Sequence, residues 1–199
     1  EQVYVNVPEM DVFFYAIDAE GNSYTPTVVQ AAGLELTVGD QTLNTSSVGQ
    51  AESPICYMVA LDNSDALSAT EFRQMRSAVW QLIRHKREND QVALYTLAGE
   101  LACVQPATSD APSLYAALAG IQQAEGELDY GGAATTLAQT IRQDYQALAP
   151  RKAVLLCTSS QRLLINPLLL AGTVSNLGSQ LNVALYTIVG AGSPETLSI

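Results

Sequence analysis

The stretch ICYMVALDNSDALS, residues Ile55–Ser68, decides the fold of this chain. Ile55–Leu61 is an unbroken apolar run, which predicts a short strand buried on both faces. A polar loop follows from Asp62, and a helical pattern begins at Ala69. In open α/β sheets, ligands bind beside the loops that leave the carboxyl ends of the strands. Small-ligand chemistry is therefore expected first around Asp62 and Ser64.

The composition limits the partners that the chain can bind. Its 199 residues carry a formal net charge of −11, with nine lysines and arginines against 20 aspartates and glutamates. This balance argues against nucleic acid and anionic membrane surfaces as partners, because both repel a negatively charged protein. The same negative charge is expected to attract divalent cations weakly. No apolar stretch reaches the roughly 18 residues that a membrane-spanning helix needs, so direct membrane insertion of this segment is not expected.

Histidine and cysteine chemistry has little support in this sequence. The one histidine, His85, lies in the basic segment RHKREND, which is typical of a last helical turn, where cations complement the helix dipole. Ser-His-Asp sites, Cys-His sites and His-rich zinc sites therefore have almost nothing to build on. Cys56, Cys103 and Cys157 each lie in an apolar strand-like run and are expected to be buried free thiols. Cys56 and Cys157 are offset by roughly 15 Å along their predicted strands, which excludes a disulfide between them.

Residues 1–53 differ in pattern from the rest of the chain. Alternating valines from Val3 and the aromatic run Val12–Ile17 predict strands, and Gly39-Asp40 is a two-residue hairpin signal between two further strands. The segment is therefore expected to hold three or four antiparallel strands in a small β-sandwich-like module. About 50 residues make a small core, so this module is expected to pack on the next domain or on a continuation of the chain.

Strands and helices alternate from residue 54 onward. A capping box at Ser68 and Glu71 begins the first helix, and its predicted core residues are Phe72, Met75, Val79, Leu82 and Ile83. The other predicted strands are Val92–Leu97, the antiparallel edge strand Leu101–Val104, Ala153–Cys157 and Val183–Val189. This alternation predicts an α/β fold over residues 54–199: a doubly wound, mostly parallel sheet with helices on both faces and one antiparallel edge strand.

The remaining segments complete that pattern. They are a helix from Asp110, a loop at residues 126–132, a helix that ends at Pro150 and an apolar helix at residues 166–178. Residues 193–199 resemble the start of a last helix that is cut short. The polypeptide is therefore expected to continue beyond Ile199, and the remainder of its own chain is an expected partner of this segment.

Several of these segments together resemble the von Willebrand factor A family. The resemblance covers about residues 54–199 and rests on the strand ending VALDNS, the loop GGAATT, the strand AVLLCT and the strand VALYTIVG. Residues 1–53 resemble the small β module that precedes such domains in bacterial surface proteins. The resemblance implies a non-enzymatic adhesion or protein-interaction module, with an extracellular or cell-surface location and a protein ligand on a cell surface or matrix.

Many members of that family hold Mg²⁺ or another divalent cation in a metal-ion-dependent adhesion site. The family's ligands are D-x-S-x-S after the first strand, a threonine in a G-G-T-x-T loop and a later aspartate. Asp62 and Ser64 match the first two positions, whereas the others fall on Ala66, Ala133 and Thr158. Two methyl groups and a neutral hydroxyl thus replace three oxygen ligands of a hard cation. The expectation is therefore that no cofactor is bound.

Several alternatives stay open at this site. In the favoured interpretation a protein partner binds without metal at the carboxyl ends of the strands, on a surface formed by Asp62, Asn63, Asp65, Asp129 and Tyr130. In a second, Mg²⁺ or Ca²⁺ binds a remnant site at Asp62 and Ser64, with the helpers Asp65, Thr135 and Thr158. A third is a purely structural stalk or assembly domain. An enzyme is disfavoured, because the motifs G-x-G-x-x-G, G-x-x-x-x-G-K-[ST] and G-x-S-x-G are absent.

Overall fold

The chain divides into two compact units, Glu1–Glu52 and Ser53–Ile199. The computed structural model describes residues 2–6, 9–14, 16–43, 47–126, 130–144, 147–159 and 183–190. The helix predicted at residues 166–178 and the final segment at residues 193–199 lie outside these ranges. The two units are described separately below.

The first unit contains two β-hairpins and a short helix among its described residues. Its strands pair antiparallel as β1 (Gln2–Asn6) with β2 (Glu9–Phe13), and as β3 (Leu36–Val38) with β4 (Gln41–Leu43). The predicted hairpin at Gly39-Asp40 is confirmed, since this dipeptide forms the turn between β3 and β4. Gly39 has a φ of 60° there, in the left-handed region that glycine adopts most readily.

Helix α1 (Pro26–Ala32), in the same unit, was not expected from the sequence. Thr25 is extended, Pro26 lies in the first turn, and Gly33 ends the helix in the left-handed region at a φ of 77°. Proline at the start and glycine after the end are the usual boundary signals of a helix. The expected three or four antiparallel strands are present as β1 to β4. The expectation missed this helix, because its boundary signals stand between two strand-like patterns.

The second unit is an α/β domain around a mostly parallel sheet. Its described strands are β5 (Ile55–Leu61), β6 (Gln91–Thr96), β7 (Ala102–Thr108), β8 (Arg151–Ser159) and β9 (Ala184–Gly190). Their order is β7-β6-β5-β8-β9, with β7 antiparallel to β6 at one edge and all other neighbours parallel. Its described helices are α2 (Ala69–His85), α3 (Ala111–Gly120) and α4 (Tyr130–Gln143). The predicted sheet is confirmed, and no described helix has the length and apolar character to cross a membrane.

Helices cover both faces of this sheet, as predicted. In β5, Val59 and Leu61 belong to a core that includes buried side chains of α2 and α3. Cys56 and Met58 belong to a second core that includes Leu137 and other residues of α4. Successive side chains of a strand point to opposite faces. Burial of both sets explains why the sequence of β5 is apolar without interruption.

The ends of α2 are fixed by side chains. The predicted capping box is present: Ser68 Oγ accepts a hydrogen bond from the Glu71 amide, and a Glu71 carboxylate oxygen accepts one from the Ser68 amide. Beyond the other end, the Asp90 carboxylate accepts hydrogen bonds from the Ile55 amide and from the Arg87 amide and guanidinium. Asp90 therefore ties the turn after α2 to the start of β5.

Two expectations about α4 are wrong. The helix begins at Tyr130, so Gly131 and Gly132 lie in its first turn and not in a loop. It ends at Gln143 rather than at Pro150, and a turn follows in which the Ala147 amide donates to the Asp144 carbonyl oxygen. Glycine lowers helix propensity by only about 1 kcal/mol relative to alanine, so packing of the helix on the sheet outweighs the glycine pair.

The cysteines divide by their position in the sheet. Cys56 and Cys157 are buried free thiols, as predicted, whereas Cys103 is exposed, which contradicts the prediction. Cys103 lies in β7, an edge strand with mostly exposed residues, so this short apolar run is not covered on both faces. The register of β5 and β8 places Cys157 opposite Leu61 and not opposite Cys56, in line with the predicted offset.

Candidate functional site

The candidate site lies where the carboxyl ends of β5 and β8 meet. The two strands pair in parallel with Leu61 opposite Cys157, so Asp62 and Thr158 leave the sheet side by side. The Asp62 amide continues the pairing by donating to the Cys157 carbonyl oxygen at 2.8 Å. Parallel pairing thus brings together a carboxylate and a hydroxyl that are 96 residues apart in the sequence.

The Asp62 carboxylate accepts hydrogen bonds on both oxygens. Oδ1 accepts from the Ser64 amide at 2.9 Å and from Ser64 Oγ at 2.7 Å. Oδ2 accepts from Thr158 Oγ1 at 2.7 Å. Asp62, Ser64 and Thr158 are each 0% exposed, and a carboxylate buried to this extent needs donors to offset its lost hydration. The two residues that match the family's metal-binding pattern therefore belong to a buried hydrogen-bond network.

Asn63 ties the loop after β5 to two neighbouring segments. Its Nδ2 donates to the Gln122 carbonyl oxygen at 2.9 Å. Its Oδ1 accepts from the amides of Leu97, at 3.2 Å, and Ala98, at 2.9 Å. The buried Asn63 side chain thus satisfies backbone groups just after β6 and in the segment after α3. These groups lie beyond the ends of the strands, where the hydrogen bonds of the sheet no longer pair them.

Gln123 ties the same loop from the other side. Its Nε2 donates to the carbonyl oxygens of Ser64, at 3.2 Å, and Leu67, at 2.9 Å. A parallel bridge between Ser64 and Ala124 adds backbone pairing. Sequence reasoning missed the roles of Gln122 and Gln123, because the groups they pair with lie far away in the sequence and leave no local pattern.

Gly126 permits a close approach between two of these loops. A Cβ atom at Gly126 would lie 2.7 Å from the Gly99 nitrogen and 2.8 Å from the Ala98 carbonyl carbon, too close for any side chain. The segments at residues 62–68, 97–101 and 121–126 therefore pack together, and we call them the rim. Their mutual hydrogen bonds hold the rim in one arrangement.

The other predicted site residues lie in different surroundings. Asp65 is exposed, and its amide donates to the Ala124 carbonyl oxygen at 2.9 Å. Tyr130 is the first residue of α4, and Asp129 lies outside the described residues. Thr135 is exposed on α4. Of the predicted helpers, Thr158 is brought directly against the Asp62 carboxylate.

Methyl groups occupy two positions at which the family resemblance places hydroxyl ligands. Ala133 is 6% exposed and packs in a small apolar cluster with Ala60, Leu97 and Leu156. Ala66 is exposed in the loop after β5. Ala133 therefore contributes an apolar contact where the family pattern calls for an oxygen atom.

This donor set fits a resident divalent cation poorly. Mg²⁺ and Ca²⁺ are held mainly by carboxylate, carbonyl and water oxygens. Here the buried network offers a single carboxylate, Asp62, and both of its oxygens already accept hydrogen bonds. The described ranges contain no group of three or more histidine, cysteine, aspartate or glutamate side chains that could hold a metal ion.

Comparison with protein families agrees with the described architecture. The family model for the von Willebrand factor type A domain matches residues 57–161, which is more than half of the chain. The matched region runs from β5 to just beyond β8 and includes the whole buried network around Asp62. No curated protein matches the chain significantly.

Solved structures share the fold at low sequence identity. BatB, a conserved hypothetical protein from Bacteroides thetaiotaomicron, matches with 15% identity and a TM-score of 0.57, covering 68% of this chain and 66% of that one. An aerotolerance-related membrane protein from Bacteroides fragilis matches with 18% identity and a TM-score of 0.57, covering 68% and 67%. Proximal thread matrix protein 1 from the mussel byssus, with a zinc-occupied MIDAS motif, matches with 14% identity and a TM-score of 0.51, covering 69% and 36%. The present chain thus spans slightly less than two thirds of BatB, at 66%.

Proposed function

The chain belongs to the von Willebrand factor type A domain family, and from this premise we propose that it is a non-enzymatic module that binds a protein ligand at the rim without a metal ion. Membership of this family implies a protein-interaction or adhesion type of module. We further propose that the module is extracellular or on a bacterial cell surface, and that its protein ligand lies on a cell surface or in a matrix. The similarity to two Bacteroides proteins, one described as a membrane protein, supports this location.

The hydrogen-bond network of Asp62 carries the metal-free form of the proposal. A cation bound to Asp62 would compete with three hydrogen bonds, two from Ser64 and one from Thr158. A hydrogen bond to a charged group stabilises the folded protein by about 1.5–3 kcal/mol, so losing these bonds to a cation would be unfavourable. A rim already held by Asn63 and Gln123 also loses little conformational entropy when a partner binds.

A metal-dependent form of the same module is the second candidate. Three oxygen-bearing side chains, those of Asp62, Ser64 and Thr158, converge within hydrogen-bond distance, and this convergence favours it. In that form Mg²⁺ or Ca²⁺ is held at Asp62 and Ser64, with Asp65, Thr135 and Thr158 as helpers. The third candidate is a structural stalk or assembly domain that has no ligand at the rim.

Metal titration separates the first two candidates. The metal-stripped protein is titrated calorimetrically with Mg²⁺, Mn²⁺ and Ca²⁺, and Asp62→Asn and Asp65→Asn serve as buried and exposed matched variants. We expect no saturable heat up to the millimolar range for any of the three proteins. Saturable binding to the native protein that Asp62→Asn abolishes would reject the metal-free form and support the second candidate.

Site-specific photo-crosslinking tests the location of the binding surface. A photo-reactive amino acid replaces either Asp65, at the rim, or Ala147, an exposed residue of the turn that precedes β8 at the opposite end of the sheet. In native cells, crosslinks to one protein are expected from position 65, not from position 147, and EDTA should leave them unchanged. Loss of the crosslinks with EDTA would support the metal-dependent form. No difference between the two positions would support the structural alternative.

A further inference from the structure

A basic and aromatic surface runs along α2. Arg76, Trp80 and Arg84 recur every four residues, so they lie along one face of the helix. Trp80 is 40% exposed although it is large and apolar. The buried face of the same helix is formed by Phe72, Met75, Val79 and Ile83. We call Arg76, Trp80 and Arg84, together with Tyr115 of α3, the α2 ridge.

Ring contacts hold the charged groups of the α2 ridge in place. The Arg84 guanidinium carbon lies 5.4 Å from the centre of the Trp80 ring, and that of Arg76 lies 5.6 Å from the centre of the Phe72 ring. Trp80 also packs against Tyr115, with ring centres 5.7 Å apart. Cation–π contacts of this kind orient a guanidinium without neutralising it. Arg76 also donates to the Ala119 carbonyl oxygen at 3.4 Å. Both arginines therefore keep their positive charge at defined positions, Arg84 on an exposed side chain and Arg76 on a partly buried one.

The charge around the α2 ridge is opposite to that of the protein as a whole. Five of the nine lysines and arginines of this chain of net charge −11 lie between residues 73 and 87. The one carboxylate within α2, Glu71, belongs to the capping box at its start. The one ion pair found in the described part of the chain joins Arg87 to Asp90. Arg76 and Arg84 therefore contact no carboxylate among the described residues.

We propose that the α2 ridge is a second binding surface, distinct from the rim, that docks an extended acidic segment of a partner protein. Arg76 and Arg84 are eight residues apart, which corresponds to about 12 Å along a helix. An extended chain covers that distance with four residues at about 3.3 Å each. Its alternate side chains share one face, so the matching pattern is acidic-x-apolar-x-acidic, with the apolar side chain on Trp80. Charge complementarity with Arg76 and Arg84 selects an acidic segment. Because this basic cluster is confined to residues 73–87 of a chain with net charge −11, the attraction is local and favours a short acidic segment over a long polyanion such as nucleic acid.

A short peptide tests the proposal directly. The probe is Glu-Ser-Leu-Ser-Glu, flanked by glycines and blocked at both ends, and its matched control is Gln-Ser-Leu-Ser-Gln. Trp80 is the single tryptophan of the chain, so its fluorescence reports contact at this surface, and calorimetry provides a second readout. The expected result is saturable binding of the acidic peptide, which weakens as salt is raised and is absent for the glutamine peptide.

Variants on two helices then locate the peptide. Arg76→Gln and Arg84→Gln are each expected to weaken binding about fivefold, the range of an exposed charged pair, while Arg142→Gln on α4 leaves it unchanged. No binding in either readout, or equal binding of the two peptides, would overturn the proposal. So would binding of oligothymidylate or of anionic lipid vesicles in place of the peptide. Asp62→Asn leaves peptide binding intact, which keeps this result independent of the function proposed for the rim.

Discussion

Thr158 is the residue through which β8 reaches the candidate site. Its hydroxyl donates to Asp62 Oδ2, and both side chains are fully buried. Thr158→Val keeps the volume but removes the donor, so the free energy of unfolding is expected to fall by about 1–3 kcal/mol. Thr158→Ser keeps the hydroxyl and is expected to cost about 1 kcal/mol for the lost methyl group. Urea denaturation measures both, and a serine variant less stable than the valine variant would contradict the role assigned to this hydroxyl.

Because its buried thiols resist ionisation, the protein is expected to become less stable at alkaline pH. Burial raises the pKa of Cys157 to about 12 and the pKa of Cys56 to about 11, from an ordinary value of 9.0. A group whose pKa is raised by folding contributes stability that is complete below its unfolded pKa and is lost as the pH rises toward its folded pKa. The free energy of unfolding is therefore expected to fall from about pH 9 upward, by about 1.4 kcal/mol per pH unit for each thiol.

Cys157→Val provides the control for this pH dependence. Valine fills the site without titrating, so the decline of the free energy of unfolding above about pH 9 should become shallower in the variant. Denaturation curves at a series of pH values measure both slopes. Identical slopes for the native protein and the variant would show that the Cys157 thiol does not titrate as its burial implies.

At the scale of the element, the capping box sets the start of α2. Ser68→Ala removes the oxygen that accepts the Glu71 amide, and the loss of such a cap costs about 1 kcal/mol. Ser77→Ala on the exposed middle of the same helix is the matched control, and it should be neutral or slightly stabilising. Chemical denaturation compares the two variants, and equal effects would show that the cap adds nothing to the stability of α2.

Asp90 connects two elements and should make stability sensitive to acid. Burial alone would raise the pKa of Asp90, but hydrogen bonds from Arg87 and the Ile55 amide outweigh it and lower that pKa below 3.8. The resulting stability is present above the unfolded pKa and is lost as the pH falls through the folded pKa. Asp90→Asn is expected to cost about 2 kcal/mol at neutral pH, because buried donors lose a charged acceptor.

The variant Arg87→Gln removes the bonds from the guanidinium to Asp90 and keeps the bond from the Ile55 amide. Comparing its free energy of unfolding with that of Asp90→Asn shows how much each partner of Asp90 contributes. Arg87 is 44% exposed in its side chain, so its loss is expected to cost less than that of the Asp90 carboxylate, about 1 kcal/mol. Urea denaturation at neutral and acidic pH gives both values, and a larger loss for Arg87→Gln would contradict the role of Asp90 as the anchor of β5.

At the scale of the whole molecule, the sheet divides the three cysteines into two reactivity classes. Cys103 is exposed on the edge strand, whereas Cys56 and Cys157 are buried in the centre. One thiol is expected to react with a maleimide in the native protein, and two more only on unfolding. Partial desolvation of the Cys103 thiol raises its pKa although the residue is exposed, so it should react more slowly than a free cysteine at neutral pH. Mass spectrometry with and without urea counts the labels, and more than one native label would contradict this division.

A helix or strand can be predicted from the sequence when the residues that cause it are neighbours in the chain. The burial of β5 on both faces follows from its unbroken apolar run, and α2 follows from the helical spacing of its apolar residues. Both elements were predicted from the sequence. The start of α4 was missed because its glycine pair indicates a loop locally, whereas packing on the sheet makes it helical. Cys103 was predicted to be buried although its strand was predicted to lie at an edge, because a short apolar run does not show which of its side chains a helix covers.

By itself, the sequence determined the α/β class, the mostly parallel sheet with one antiparallel edge strand, the capping box of α2 and the loss of ligand oxygens at Ala66 and Ala133. Thr158 was one of three helpers named from the sequence, and the tertiary structure decided that its hydroxyl is the one that donates to Asp62 Oδ2. It also decided that Ala133 enters an apolar cluster and that Tyr115 packs on Trp80. Periodicity and capping depend on neighbours in the sequence, whereas these contacts depend on strand register and on the packing of helices against the sheet.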